Sequence, residues 1–281
     1  MSPAAIALAL SAAMLHAGWN AFLRGGADRF WTLTVMGLTG AAVALPAVLA
    51  LPLPAPAAWP FLALSVTIQV GYGFLLAATY GRGELGQVYP IVRGSVPILV
   101  TAGGVLFAGE HPGGLRLLGV ALIAAGIASL ALGRGRATVA TLMLAITAGM
   151  LIATYAVVDA AGVRAAGAGA PYVAAYVSWV LLLYGIALPA VFLLWRGRPA
   201  QPLRSAETAR AVGGGLVALL GYGLVLAAFA IAPAGPVTAL RETNVVFAAL
   251  LGHVFLGERL TLRRLLACAL VALGVILIAL R

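Results

Sequence analysis

Long apolar runs alternate with short segments rich in Arg, Gly and Pro along the whole chain. Most runs reach the length of about 20 residues that an α-helix needs to cross a bilayer. The stretch 30–81 carries no charge and is too long for one helix, and Pro52, Pro54 and Pro56 divide it because proline interrupts the helical hydrogen-bond ladder. The pattern predicts ten helices, at 3–23, 30–51, 57–80, 87–108, 113–132, 138–159, 171–195, 209–230, 235–256 and 261–280.

Composition places these helices in lipid. Hydrophobic residues make up 63% of the 281 residues and charged residues only 9%, whereas soluble domains carry about 25% charged residues. Backbone polar groups in lipid must be satisfied internally, which allows helices or closed barrels, and the unbroken apolar runs favour helices. The single cysteine, Cys268, excludes an intrachain disulfide. We therefore predict an all-α membrane protein.

The basic residues predict its orientation. All 17 are Arg; 12 fall in the connections after the odd-numbered helices, three fall on the opposite side, and Arg93 and Arg241 lie within predicted spans. Because cytoplasmic loops carry the excess of basic residues, the side with 12 faces the cytoplasm of a bacterial-type inner membrane. Both termini are then predicted outside the cytoplasm. The scattered arrangement also argues against a nucleic-acid partner, which requires a clustered basic face.

The two halves of the chain resemble each other. Residues 71–78 (GYGFLLAA) match residues 221–228 (GYGLVLAA), and the spacing from Arg93 to Glu110 is 17 residues, as it is from Arg241 to Glu258. We therefore divide the chain into repeats at 1–134 and 135–281. Five helices in each repeat is an odd number, so tandem repeats must cross the membrane in opposite senses. Such 5+5 inverted repeats are typical of secondary transporters.

Three kinds of short motif occur along the chain: His16-Ala17-Gly18-Trp19-Asn20, the Gly-Glu pairs at 109–110 and 257–258, and the Tyr-Pro-x-x-Arg-Gly segment at 89–94 with its counterpart at 240–243. Together they resemble the ten-helix, EamA-type members of the drug/metabolite transporter superfamily. The resemblance implies a central cavity surrounded by helices 1–4 and 6–9, with helices 5 and 10 as peripheral supports. It also implies transport of amino acids, drugs or other metabolites, and some subgroups are associated with phosphonate use.

Arg93 and Arg241 are the clearest candidates for substrate binding, because a charged residue in hydrocarbon costs about 2.5–3.5 kcal/mol on insertion scales. Glu110 is expected at one membrane interface, and at 1.5 Å per residue Arg93 lies about 25 Å from it along the helix. Because the hydrocarbon core is about 30 Å thick, Arg93 would then lie close to the opposite interface, and its side chain could instead extend to the headgroups. Both Arg residues lie near helix N-termini, where the helix dipole disfavours a cation. An anionic substrate, a carboxylate or a phosphonate, would relieve that conflict through bidentate hydrogen bonds.

Glu242 is the candidate for ion coupling. Its aligned residue in the first repeat is Gly94, so it has no acidic counterpart. Successive helical positions point about 100° apart, so we do not expect Glu242 to pair with its neighbour Arg241. Three roles remain: an ion pair with Arg93, a contact with another polar group, or a site for a coupling proton.

The other candidate site residues are polar or aromatic. His16 and Asn20 are one helical turn apart on one face, with Trp19 beside them, and they either line the cavity or bridge helices by hydrogen bonds. Tyr72 and Tyr222 lie between glycines, which indicates close helix packing or hydroxyl groups facing a cavity. Weaker candidates for substrate binding are Tyr89 and Asn244. Glu110 and Glu258 are expected to satisfy helix-end amides or to lie at the headgroups.

These features predict a secondary transporter, most simply an exporter, of a small metabolite such as an amino acid or another organic anion. The driving force would be a proton gradient or the gradient of the substrate itself. The absence of lysine excludes a P-loop, and no metal-binding, cofactor or hydrolase motif is found, so we expect neither a cofactor nor an enzyme. The alternatives are a channel or lipid scramblase, a membrane-embedded enzyme, or an accessory subunit. The sequence does not indicate the oligomeric state.

Overall fold

The computed structural model describes residues 1–24, 28–80, 85–130, 138–197, 205–256 and 261–280. Within these ranges the chain forms helices and their connections, with no β-strand. A short 3₁₀ turn at Pro56–Ala58 precedes the third helix. The helices are α1 (Pro3–Arg24), α2 (Arg29–Ala50), α3 (Trp59–Tyr80), α4 (Leu85–Ala108), α5 (Gly114–Ser129), α6 (Val139–Ala165), α7 (Ala170–Arg196), α8 (Ala206–Ile231), α9 (Ala234–Arg241), α10 (Asn244–Leu256) and α11 (Leu262–Ala279).

The predicted ninth helix is interrupted. It consists of α9 and α10, separated by a turn at Glu242 and Thr243. Side chains at the turn hydrogen-bond to nearby carbonyl groups: the Thr243 hydroxyl donates to Leu240 O at 2.7 Å, and the Asn244 amide donates to Arg241 O at 3.1 Å. Such local side-chain bonds compete with the helical ladder, which accounts for the break.

The sixth helix is longer than predicted. The sequence pattern ends it at residue 159, but α6 continues to Ala165. Asp159 is therefore not at a helix end: it lies within the helix and is only 1% exposed.

Among the residues that the structure describes, seven helices are long and apolar enough to cross a membrane: α2, α3, α4, α6, α7, α8 and α11. The apolar helix α5, at 16 residues, is shorter, and the break divides the predicted ninth span into segments of 8 and 13 residues. The all-helical membrane fold is thus confirmed, while ten complete spans stay a prediction.

Helices at equivalent positions of the two predicted repeats cross in opposite directions. A methyl group on Gly119 of α5 would lie 2.6 Å from the carbonyl oxygen of Gly274 in α11, and one on Gly126 would lie 3.0 Å from that of Ala267. Rising numbers in α5 therefore face falling numbers in α11, so the two helices are antiparallel. Only glycine permits this close backbone approach.

The same relation holds for α2 and α7. Gly37 lies against Gly185, and Gly40 lies against Leu181 three residues further along α2. Beyond these pairs, α1 packs on α8, α3 on α6 and α4 on both α6 and α9. The result is a central group of helices with the α5–α11 pair outside it.

Candidate functional site

A cavity of about 180 Å³ lies among the central helices. Its described lining comes from α1–α4 and α6–α9, and none of it from α5 or α11, as the family resemblance implies. Small and aromatic residues form most of the wall. Its polar lining residues are His16, Trp19, Gln69, Tyr72, Arg93, Tyr155, Tyr184, Tyr222 and Arg241.

Arg93 and Arg241, which line this cavity, both bind one carboxylate behind its wall, that of Glu242. Arg93 Nη1 donates to Glu242 Oε1 at 3.2 Å and to Oε2 at 3.3 Å, and Arg241 Nη2 donates to Glu242 Oε1 at 3.0 Å. The Glu242 side chain is fully buried, and the Arg93 and Arg241 side chains are 5% and 7% exposed. Both Arg residues therefore face the interior rather than the headgroups.

The expectation that Glu242 would not pair with Arg241 is wrong. That expectation assumed a continuous helix, in which neighbouring side chains diverge by about 100°. The helix ends at this point, and Glu242 adopts a capping conformation with φ −69° and ψ −7°. The long Arg241 side chain can then reach the carboxylate. The expected pairing of Glu242 with Arg93 is found as well.

The three side chains carry one excess positive charge. One carboxylate cannot accept from all the N–H groups of two guanidinium groups, since each guanidinium has five donors. Arg241 Nε is buried and donates to no acceptor among the described residues. A buried donor without a partner costs about 1–3 kcal/mol, so the cluster is suited to accept a further anionic group.

His16 extends the cluster along α1. Its Nε2 lies 2.8 Å from Arg93 Nη2, and its Nδ1 lies 3.1 Å from the indole Nε1 of Trp19. Trp19 and Arg93 are both donors, and a neutral imidazole can accept from only one of them, so the two hydrogen bonds to His16 cannot form together. Asn20 is buried and donates to His16 O at 2.9 Å within its own helix, so it does not line the cavity.

The remaining predicted site residues have different positions. Tyr72 and Tyr222 both line the cavity. Asn244 does not line the cavity. Its amide donates a hydrogen bond to Glu242 Oε2 at 3.4 Å and so helps to hold the carboxylate in place. The side chain of Tyr89 lies outside the described residues, as does Glu258.

Sequence reasoning missed a second buried acid, Asp159. Its carboxylate accepts hydrogen bonds from Tyr222 at 2.8 Å and from Tyr176 at 3.3 Å. Gln69 lies 3.4 Å from the Tyr222 hydroxyl, so the Asp159 network reaches the cavity wall through Gln69 and Tyr222. The available signal is a lone acidic residue in an apolar run, but the same pattern is also typical of a helix end, where the sequence places residue 159.

Glu110, which follows α4, joins the last turn of α6 to the connection between α8 and α9 at one end of the bundle. Its carboxylate accepts from the backbone N–H of Ala234 at the start of α9 at 2.9 Å, and from Arg164 Nη2 at 2.9 Å. Arg164 also donates to Phe229 O and Ala232 O, at 2.9 and 2.7 Å. The predicted role of Glu110 at helix-end amides is confirmed. We call Glu110, Arg164 and the Phe229–Ala234 segment the latch.

Comparisons with known proteins agree with this architecture. A solved structure, titled only as the crystal structure of a protein, superposes with a TM-score of 0.77 at 17% sequence identity, over 99% of this chain and 96% of the other. At that identity it shows the fold alone. No curated protein matches the sequence. The model of the EamA-like transporter family matches residues 139–280, half of the chain. The chain therefore belongs to the EamA-like transporter family.

Proposed function

We propose that the protein is a secondary transporter of a small organic anion, such as an amino acid or a phosphonate, and that it exports this metabolite. The observation that carries the proposal is the buried cluster of Arg93, Arg241 and Glu242, with one excess positive charge on the wall of a central cavity. A carboxylate or phosphonate group of the substrate would neutralise that charge. The oxygen atoms of that group would also accept a hydrogen bond from Arg241 Nε, which has no acceptor among the described residues.

The size of the cavity supports a small substrate. Sites for drug-sized ligands measure about 300–1,000 Å³, whereas this cavity is about 180 Å³. Aromatic side chains make up much of the wall, including Trp19, Tyr72, Tyr155, Tyr184 and Tyr222. We expect them to pack against the apolar part of the substrate while its anionic group binds to the Arg residues.

Two inverted repeats, 1–134 and 135–281, would supply the alternating access. The antiparallel crossings of α2 with α7 and of α5 with α11 support this arrangement, because these are helices at equivalent places in the two repeats. The latch joins the connections at one end of the bundle. In a bacterial-type inner membrane with both termini outside, as the Arg distribution predicts, that end faces away from the cytoplasm.

Ligand binding is the first test. Purified protein is heated with L-aspartate, L-phenylalanine or methylphosphonate, and the unfolding temperature is compared with that of Arg93→Ala and Arg241→Ala. A ligand that stabilises the wild type but neither variant supports the Arg cluster as the anion site. Arg210→Ala, at an exposed position on α8, is the matched control and should respond like the wild type. Equal stabilisation of all four proteins contradicts the proposal.

Transport itself separates a carrier from a channel or scramblase. Proteoliposomes preloaded with the unlabelled stabilising ligand should accumulate the labelled compound transiently, since only a carrier exchanges one molecule for another. Flux that does not saturate and shows no such counterflow would favour a channel. Chemical conversion of the ligand in detergent would indicate an enzyme.

A further inference from the structure

Asp159 is a buried acid that the anion cluster leaves unused. Its side chain comes from α6, six residues before the helix ends at Ala165. Its described contacts are hydroxyl groups: Tyr176 on α7, Tyr222 on α8 and Ser65 on α3. None of the three ion pairs found among the described residues involves it. A carboxylate inside a bilayer without a cationic partner is expensive, and such residues mark sites of proton or ion binding.

The hydroxyl groups around Asp159 suit a group that gains and loses a proton. A carboxylate accepts from both tyrosines, and a carboxylic acid can donate to one of them, because a tyrosine hydroxyl both donates and accepts. Tyr222 lies on the cavity wall beside Gln69, at 3.4 Å, so a proton can pass between the cavity and Asp159 through one hydroxyl group. The other titratable or charged groups acting on Asp159 are Tyr155 and Arg241.

Counting the buried charges links this proton to the substrate. Arg93 and Arg241 contribute two positive charges, and Glu242 and Asp159 contribute two negative charges, so the empty site is neutral. An anion alone would bring the site to one negative charge, and a proton alone would bring it to one positive charge. An anion and a proton together restore neutrality. Because a net charge in a low-dielectric interior is costly, the empty site and the doubly loaded site are the two states that rearrange readily.

We propose that Asp159 binds one proton in each transport cycle and that the organic anion crosses the membrane together with this proton. The inference rests on the proposed transport function and assigns the proton to Asp159 rather than to Glu242, which is already bound by two guanidinium groups. The cargo is then an acid that crosses without net charge. Such a carrier exports its substrate whenever that acid accumulates inside.

The proton site can be tested without any substrate. Infrared titration of the purified protein should show a carboxylic-acid C=O band that appears on acidification and is lost in Asp159→Asn. Glu110→Gln, the same kind of change at another buried carboxylate, should keep that band. Tyr222→Phe removes one donor to Asp159 and should move the pH midpoint of the band. A band that persists in Asp159→Asn, or a midpoint that Tyr222→Phe leaves unchanged, overturns the assignment.

The coupling is tested with the two anionic probes, L-aspartate and the monoanion of methylphosphonate, in proteoliposomes containing a pH dye, because L-phenylalanine has no net charge and serves only as a binding probe. Wild-type protein should move about one proton per anion, and an imposed membrane potential should not alter the flux. Asp159→Asn should lose proton movement and become sensitive to the potential. Proton movement that survives in Asp159→Asn refutes the coupling. If none of the probes binds, the proposed substrate class fails, and the infrared titration still decides whether Asp159 is a proton site.

Discussion

Removing the carboxylate of Glu242 should destabilise the protein more than the loss of any other acidic side chain at the cavity. In Glu242→Gln, the side chain keeps its size but loses its charge, and two guanidinium groups at 3.2 and 3.0 Å are left uncompensated. Breaking a buried ion pair by removing one partner costs about 3–5 kcal/mol, because a buried charge remains unpaired. The fully buried position of Glu242 gives little access to water that could take over its role.

The measurement is the free energy of unfolding in mixed micelles, obtained by titration with a denaturing detergent. Glu207→Gln, at the first turn of α8, is the matched control and should lose less than about 1 kcal/mol, the usual contribution of a charge at a helix N-terminus. Replacing Arg241 with Gln in the Glu242→Gln background removes one of the unpaired cations. The double variant should therefore be more stable than Glu242→Gln alone.

An added anion should restore part of the loss. If the vacated position binds methylphosphonate, a concentration of about 100 times the dissociation constant raises the stability by about 2.7 kcal/mol. The charge argument fails if Glu242→Gln unfolds like the wild type, or if the double variant is less stable than the single one. Failure of the anion to stabilise Glu242→Gln would count against anion binding at the cluster.

Three further substitutions test the fold around the site. Gly274→Val should lower the free energy of unfolding by about 1–3 kcal/mol in the same titration, since its Cβ would lie 2.6 Å from the carbonyl oxygen of Gly119 in α5. The control Gly113→Ala, which has open space around its Cβ, should leave the free energy of unfolding unchanged. Glu110→Gln should weaken the latch, and hydrogen–deuterium exchange in Phe229–Ala234 should then accelerate; unchanged exchange would refute the latch. Asp28→Ala removes the side chain that accepts hydrogen bonds from two N–H groups at the start of α2. The same unfolding titration should show a loss of about 0.5–2 kcal/mol, and no loss would contradict the capping role of Asp28.

The helices were predictable because a run of about 20 apolar residues is sufficient by itself to indicate a membrane-spanning helix. Most predicted boundaries lie within three residues of the observed ones, and the two failures have local causes. The break at Glu242 depends on hydrogen bonds from Thr243 and Asn244, whose residue types also occur inside continuous helices. The extension of α6 depends on burying Asp159 among hydroxyl groups from other helices, which no single apolar run reveals.

The site was predictable where a residue type is costly in lipid and recurs in both halves. Arg93 and Arg241 meet both conditions, and both line the cavity. Asn20 and Asn244 met only the first condition, since they are polar residues in apolar runs, and both use their amides to bond nearby backbone carbonyls. A polar side chain can satisfy itself within its own helix, whereas a guanidinium with five donors cannot, which is why the Arg residues were the better signal.

The excess positive charge of the site follows from how the two halves differ at one position. Gly94 is aligned with Glu242, but a Cβ at Gly94 would lie 2.9 Å from the carbonyl oxygen of Ala124 and 3.1 Å from the Cβ of Ala128. The packing of α4 against α5 therefore leaves no room for an acidic side chain at position 94. In the second half, the interruption of the helix after α9 provides space for the Glu242 side chain. Two cations consequently share one carboxylate, and the charge left over is the one that an anionic substrate would neutralise.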